Sequence, residues 1–214
     1  MSITGTLTSL DEDDASLDEG SRRSLITGAR EEAERLNRLV GNLLEMTRIE
    51  AGALRAEREP CDVQEVVIAA IDRLGSRLEG RPITIEVPDV LAPMDFVLMA
   101  QVLVNLLDNA LKYSPPGTPI GVEAHVAERV LEMAVTDRGA GIPPEDLERI
   151  FDKFYRVHRP DSVGGTGLGL AICKAILEAH QGRIHAQNRP GGGTIITLVL
   201  PLDQTEQAAG SAAP

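Results

Sequence analysis

Gln101, Asn105, Asn109 and Lys112 recur at steps of four, four and three inside the run QVLVNLLDNALKYS, Gln101–Ser114. At about 100° per residue in a helix they form one polar stripe. Leu98, Val102, Leu103, Leu106, Leu107 and Ala110 form a wide apolar face beside it. Asparagine is a poor helix former, and uncharged polar groups are an unusual choice for a solvated face. Amide oxygens are hard ligands suited to Mg²⁺, and an amide NH₂ donates to phosphate. Lys112 supplies positive charge for phosphate, and Tyr113 supplies a ring for a base. The competing reading of this stripe is a solvated helix face.

A second set of residues lies downstream. Val135-Thr136-Asp137 ends a strand-like run, and Gly139 and Gly141 then let the backbone approach something closely. A carboxylate there accepts from an exocyclic amine such as adenine N6, and it repels the O6 of guanine. An Asp-Arg-Gly turn is the plainer alternative. Gly164-Gly165-Thr166-Gly167-Leu168-Gly169-Leu170 opens a helical stretch reaching His180. Free N–H groups at a helix N-terminus attract phosphate oxygens. No Gly-Lys-Ser/Thr follows, so this is not a Walker A loop, and Leu170 stands where a dinucleotide fingerprint needs its third glycine. Leucines interleaved with the glycines argue against a flexible linker. The Phe151–Arg156 cluster and the segment Val157–Val163 are expected to form a lid over a nucleotide.

These residues need elements to hold them. A chain of 214 residues accommodates one or two domains. Its net charge of −12 argues against a nucleic-acid binder. Cys61 and Cys173 have neither metal-ligand spacing nor the look of a disulfide framework, which fits a cytoplasmic setting. No apolar run reaches membrane-spanning length and no signal peptide is visible. With no Trp, three Phe and two Tyr, the core must be mostly aliphatic. Tyr113, Phe151, Phe154 and Tyr155 all fall in the segments above, as a stacking site for a planar ligand or as an aromatic mini-core.

Ser2–Leu10 is compatible with a short helix, and an acidic loop, Asp11–Asp14, follows it. Leu25, Leu36, Leu39, Val40, Leu43, Leu44 and Ile49 then mark one stripe of a long helix, Asp18–Glu50. Such a stripe needs a covering helix, expected from a second copy of the chain. Ala51–Pro60 reads as a domain boundary. Asp62 with Glu65 caps a helix through about Leu78, and Asp95 caps the helix Phe96–Leu111. Strands are expected at Ile83–Val87, Ile120–Val126, Val130–Thr136, Arg183–Asn188 and Thr194–Leu200. The order predicts an α+β fold, a two-layer α/β sandwich with antiparallel-type strands and helices on one face. Its expected parts are a helical region over 1–52, a nucleotide-binding domain over 60–202 and a disordered tail over 203–214.

Taken jointly, Asn105-x-x-x-Asn109-x-x-Lys112-Tyr113, Asp137-x-Gly139-x-Gly141, Phe151-x-x-Phe154 and Gly165-x-Gly167-x-Gly169 resemble the N, G1, F and G2 boxes of sensor histidine kinases. The order and spacing are the family's, over about Asp18–Leu202. The wording around the boxes is most similar to osmosensitive potassium-transport sensor kinases of the KdpD type. The resemblance implies the histidine-kinase/gyrase-like ATPase fold and the cofactors ATP and Mg²⁺. It places Mg²⁺ on Asn105, phosphates on Asn109 and Lys112, and adenine on Tyr113 and Asp137. It adds Gly139, Gly141, Ile142 and Phe154 to the ATP site, and closes Gly165, Thr166, Gly167, Leu168 and Gly169 over the triphosphate. Lys153 and Arg156 are further candidates for phosphate contact. ATP-hydrolysing relatives resembling gyrase and MutL carry a Glu one turn before the metal-binding Asn. Gln101 stands there and cannot serve as a general base, so slow hydrolysis and an acceptor other than water are expected.

The family phosphorylates a histidine in a segment like His-(Glu/Asp)-Leu-Arg-Thr-Pro-Leu and passes the phosphate to a response regulator. No such segment occurs here, and His125, His158, His180 and His185 all stand in other contexts. Met1–Gly5 resembles the stretch just downstream of that segment, so the expectation is a kinase fragment beginning after its acceptor and dimerising through Asp18–Glu50. Self-phosphorylation is therefore expected to be absent. The alternatives are a non-catalytic ATP-binding and dimerising module, or a serine/threonine kinase of the anti-sigma type, which the helical region disfavours.

Overall fold

The computed structural model describes residues 18–157 and 165–202. The expectations for Ser2–Leu10, the acidic loop, most of the lid segment, Gly164 and the tail lie outside the described residues. The chain divides into two compact units, Met1–Arg48 and Ile49–Pro214.

Helix α1 (Glu19–Glu50) is 32 residues long, and its last two residues belong to the second unit. Asp18 starts it, its Oδ1 accepting from the Ser21 N–H at 2.6 Å. That satisfies one of the donors a helix N-terminus leaves unpaired. Leu36, Val40, Leu43 and Leu44 are exposed along α1. Gly52, at φ 65°, ends the helix by donating to the Ile49 carbonyl at 3.0 Å.

The second unit opens with β1 (Glu59–Asp62) and α2 (Val63–Leu74). Asp62 caps α2, accepting from the Gln64 N–H at 2.7 Å and the Glu65 N–H at 3.4 Å. Strands β2 (Ile83–Glu86) and β3 (Leu91–Met94) follow, then α3 (Phe96–Tyr113). Asp95 caps α3 through Oδ1, 3.1 Å from the Leu98 N. Strands β4 (Ile120–Ala127) and β5 (Val130–Thr136) come next, then α4 (Gly169–Ala179), β6 (Arg183–Asn188) and β7 (Thr194–Pro201). Five strands form one sheet in the order β2-β4-β5-β7-β6, while β1 and β3 form a separate antiparallel ribbon.

Along β5, Leu131, Met133 and Val135 are buried and alternate with half-buried residues. With Ile120 and Val122 of β4 and Ile196, Leu198 and Leu200 of β7 they make the inner face of the sheet. Met99, Leu103, Leu106 and Leu107 of α3 and Ile172, Ile176 and Leu177 of α4 close over that face. Each such side chain stabilises the fold by roughly 1.5–3 kcal/mol on burial. The other face carries exposed Glu123, His125, Arg183, His185 and Gln187, so the domain is two layers thick. The core is aliphatic, as the composition requires.

Three details depart from expectation. β1 and β3 arise where a boundary and no element were expected. Each is four residues long with a proline, Pro60 opposite Pro93, so neither shows hydrophobic alternation. α2 stops at Leu74, where Gly75 at φ 48° ends the helix before a 3-10 turn to Leu78. β2 pairs with β4 in parallel, because β3 and α3 intervene between them.

Candidate functional site

The site is built on α3, and both ends of that helix are tied down. At its start, His180 Nε2 accepts from the Asp95 N–H at 2.9 Å. The other ring nitrogen, Nδ1, donates to the Ile176 carbonyl at 2.7 Å. Both bonds require the neutral Nδ1–H imidazole. Burial pushes the His180 pKa down. At the far end, the Arg81 guanidinium donates to the carbonyls of Leu111 at 3.0 Å, Ser114 at 2.9 Å and Thr118 at 3.1 Å, and to that of Pro115. Carbonyls that an α-helix leaves orphaned at its C-terminus are thus satisfied by one rigid cation.

Between these ties runs the polar stripe. Asn105 Nδ2 is buried and has no hydrogen-bond partner. An unsatisfied buried amide costs about 1–3 kcal/mol, so this one marks a place built for a polar guest. Its neighbour is the start of α4: a Cβ on Gly169 would lie 3.9 Å from Asn105 Oδ1. The first-turn N–H groups of α4 therefore open beside the Asn105 amide. Thr166 Oγ1 accepts from the Leu168 N–H at 3.2 Å, shaping the entry to that turn. Asn109 and Lys112 are half-buried, and Tyr113 is exposed.

The loop after β5 is clamped from three sides. Asp137 Oδ1 accepts from the Gly139 N–H at 2.6 Å and the Thr194 N–H at 3.2 Å. That oxygen holds the loop, while Oδ2 keeps its acceptor capacity. Gly139 lies against the end of α3, where a Cβ would sit 2.4 Å from the Tyr113 carbonyl oxygen. Gly193, at φ 106°, leaves only 2.1 Å between a Cβ and the Asp137 oxygen. The amide of Asn188 donates to the Ile142 carbonyl and accepts from the Ile142 N–H, both at 2.7 Å. It also faces Gly141, at φ 73°.

Phe154 and Gly167 meet across the glycine-rich stretch. The Phe154 N–H donates to the Gly167 carbonyl at 2.9 Å, and a Cβ on Gly167 would lie 2.7 Å from the Phe154 backbone. Phe151 is buried as the anchor of this turn, while Phe154 is 65% exposed. The Tyr155 hydroxyl donates to Asp146 at 2.5 Å, and that bond raises its pKa. The aromatics therefore divide between the two sequence readings: Phe151 is core, and Tyr113 and Phe154 are open.

Asn105 with Gly169, Tyr113 with Gly139, and Phe154 with Gly167 thus meet as three pairs drawn from four segments. Lys112 is turned aside: its Nζ lies 2.5 Å from Asp108 Oδ2, and Arg77 binds the other oxygen of the same carboxylate. Burial alone would push the Asp108 pKa up, but Lys112 and Arg77 hold it below the usual carboxylate range. Lys153 is paired with Glu50 at 2.8 Å. Gly165 has open space around it. Asp108, Arg77, Arg81, Asn188, Gly193 and Thr194 escaped the sequence reading. The Gly191-Gly192-Gly193-Thr194 run and the i,i+4 spacing of Asp108 and Lys112 were visible signals; Arg77, Arg81 and Asn188 act on partners 30 to 46 residues away and leave no local trace.

Residues 94–204 match the profile of the family described as histidine kinase-, DNA gyrase B-, and HSP90-like ATPase. The chain is 43% identical over 166 residues to the sensor protein KdpD of Escherichia coli, covering 77% of this chain and 18% of that protein. The chain therefore spans under a fifth of that relative's length. Among solved structures, the mycobacterial sensor histidine kinase MprB matches with 33% identity and a TM-score of 0.62, over 68% of this chain and 97% of the other. Full-length ShkA in complex with AMPPNP matches with 25% identity and a TM-score of 0.70, over 89% of this chain and 40% of the other.

Proposed function

From a chain that belongs to the histidine kinase-, DNA gyrase B-, and HSP90-like ATPase family, and whose relatives are two-component sensor histidine kinases, we infer the ATP-binding catalytic portion of such a kinase, KdpD-like in type. It binds Mg-ATP and transfers the γ-phosphate to a histidine other than the four in this sequence. The phosphohistidine then serves a response regulator, on the cytoplasmic side. A second copy of the chain is the partner of the exposed α1 stripe. No helix among the described residues is long and apolar enough to cross a membrane.

One observation carries this reading: the orphaned Asn105 amide, buried at the mouth of the α4 N-terminus. Turned by half a rotation, the amide presents Oδ1 in the same place, a hard oxygen fit for Mg²⁺. Asn105 would hold Mg²⁺ there, and the ion would supply positive charge for the phosphates. The chain's own residues do the rest. Asn109 donates to phosphate, and the glycine-rich turn directs backbone N–H groups at the triphosphate. Asp137 Oδ2 accepts from adenine N6, on a loop that Thr194 and Asn188 keep rigid. Tyr113 and Phe154 are exposed and offer ring faces to the nucleotide. Phosphoryl transfer asks mainly for such positioning and charge stabilisation. The AMPPNP complex of ShkA supports a nucleotide in this fold. Gln101 offers no general base for water, which favours transfer over hydrolysis.

Calorimetry with Mg-ATP tests the site. Asn105→Ala is expected to weaken binding by at least about tenfold, as loss of a buried charge-assisted contact does. Equal affinity in both forms defeats the assignment. In the same preparations, γ-labelled ATP should leave no acid-labile, base-stable label on this chain alone, and such label would overturn the inference of an external acceptor.

A further inference from the structure

Lys112 stands between two partners on α3. At about 100° per residue it lies about 20° from Asn105 and about 40° from Asp108 around the helix. In the structure it is on the Asp108 side, 2.5 Å from Oδ2. The Asp108 side chain is only 12% exposed, so it cannot be left as a bare charge at low cost. It has a second cation, Arg77, at Oδ1. Arg77 and Lys112 also line one open basin of ≈ 360 Å³, with Glu79, Gly80, Arg81 and Gly117, so the lysine is not packed in on that side.

The two cations are not equivalent. Arg77 comes from the turn after α2 and holds Asp108 with a planar, always-charged fork. Lys112 carries its charge on a flexible four-carbon stem. We propose that Asp108 is a positioning residue that tethers Lys112 away from the triphosphate until nucleotide arrives, and that Arg77 is the counter-ion that lets Lys112 leave. This rests on the nucleotide-site reading above and adds a device to it. Without Arg77, releasing Lys112 would strand a buried carboxylate. With Arg77 in place, Lys112 swings from Asp108 towards the stripe face and Asp108 stays neutralised.

Titration calorimetry of the full chain with Mg-ATP tests the device. Asp108→Asn should tighten binding by about threefold, the order of one partly exposed ion pair. The gain should vanish in Lys112→Met, because it acts through the lysine. Arg77→Ala should weaken binding by about tenfold, and adding Asp108→Asn to it should restore affinity to within about twofold of wild type. A merely structural Arg77, packing α2 on α3, predicts no such rescue. The proposal is overturned if Asp108→Asn leaves affinity unchanged or lowers it. It is equally overturned if the gain persists in the Lys112→Met background, which would show simple repulsion of phosphate by Asp108, or if the Arg77→Ala/Asp108→Asn pair binds no better than Arg77→Ala. Where Arg77→Ala does not fold, the Asp108→Asn and Asp108→Asn/Lys112→Met comparison decides the matter by itself. The underlying site fails separately: wild type that binds no ATP, or Asn105→Ala that binds as wild type does, defeats both readings. Asn105→Ala that weakens binding while Asp108→Asn fails to tighten it defeats the tether alone.

Discussion

A single unsatisfied amide is the most informative atom group in this protein. Buried donors without partners are rare in native structures, and Asn105 Nδ2 sits where two segments of the candidate site converge. Glycines of the candidate site act through space as well as through conformational freedom. Gly193 takes φ 106° and has no room for a Cβ, which would meet the Asp137 carbonyl oxygen at 2.1 Å. Gly193→Ala is therefore expected to destabilise the domain by about 2–4 kcal/mol, combining backbone strain with a clash. Urea denaturation measures this, and a loss below about 1 kcal/mol would show that the loop moves aside easily. Asp137 should shift with it, so nucleotide affinity should fall in the same variant.

At the scale of elements, α3 is a helix held at both ends by residues from other parts of the chain. Its apolar face would dock it on the sheet in any case, but docking alone does not fix the last turn, which carries Lys112 and Tyr113. Arg81 does so through the carbonyls from Leu111 to Thr118. Arg81→Met keeps most of the stem and removes the donors. It should cost about 1–3 kcal/mol, the usual effect of orphaning acceptors that a charged group had satisfied. Hydrogen exchange should quicken in the last turn of α3 while its first turns stay protected. Uniform acceleration along the helix would mean that Arg81 serves global stability only. The small ribbon of β1 and β3 was illegible at this scale, because prolines at Pro60 and Pro93 erase the alternation that announces a strand.

Across the whole molecule, His180 joins the end of α4 to the start of α3, 85 residues apart in sequence. It accepts the Asp95 N–H only while neutral, and burial depresses its pKa, with Asp95 opposing and Arg58 reinforcing that shift. The unfolded chain therefore binds this proton more readily than the folded one. Stability is complete above the ordinary histidine value of 6.5 and is lost as pH falls through the lower folded value. The melting temperature should drop on going from pH 7 to pH 5, and His180→Gln should flatten that slope. An unchanged slope would remove His180 from the acid response.

Much of this protein was legible from its residues alone. The aliphatic core, the caps at Asp62 and Asp95, the helix α3 and the strands of the main sheet follow from local pattern, because period and capping are properties of neighbouring residues. The grouping of asparagines, glycines and phenylalanines pointed to one nucleotide site, because helix periodicity and backbone conformational freedom are also local. Tertiary structure alone decided how the site is held and which way its charges face. Asn188 with Ile142, Gly193 with Asp137, Arg81 with the end of α3, and Arg77 with Asp108 are contacts between segments distant in sequence. A guanidinium or an amide carries no sign of its partner until the sheet and helices close around it. Lys112, whose place in the stripe promised a phosphate ligand, rests on a carboxylate one helical turn before it; the i,i+4 spacing allowed that pair, and the structure decided between the two faces.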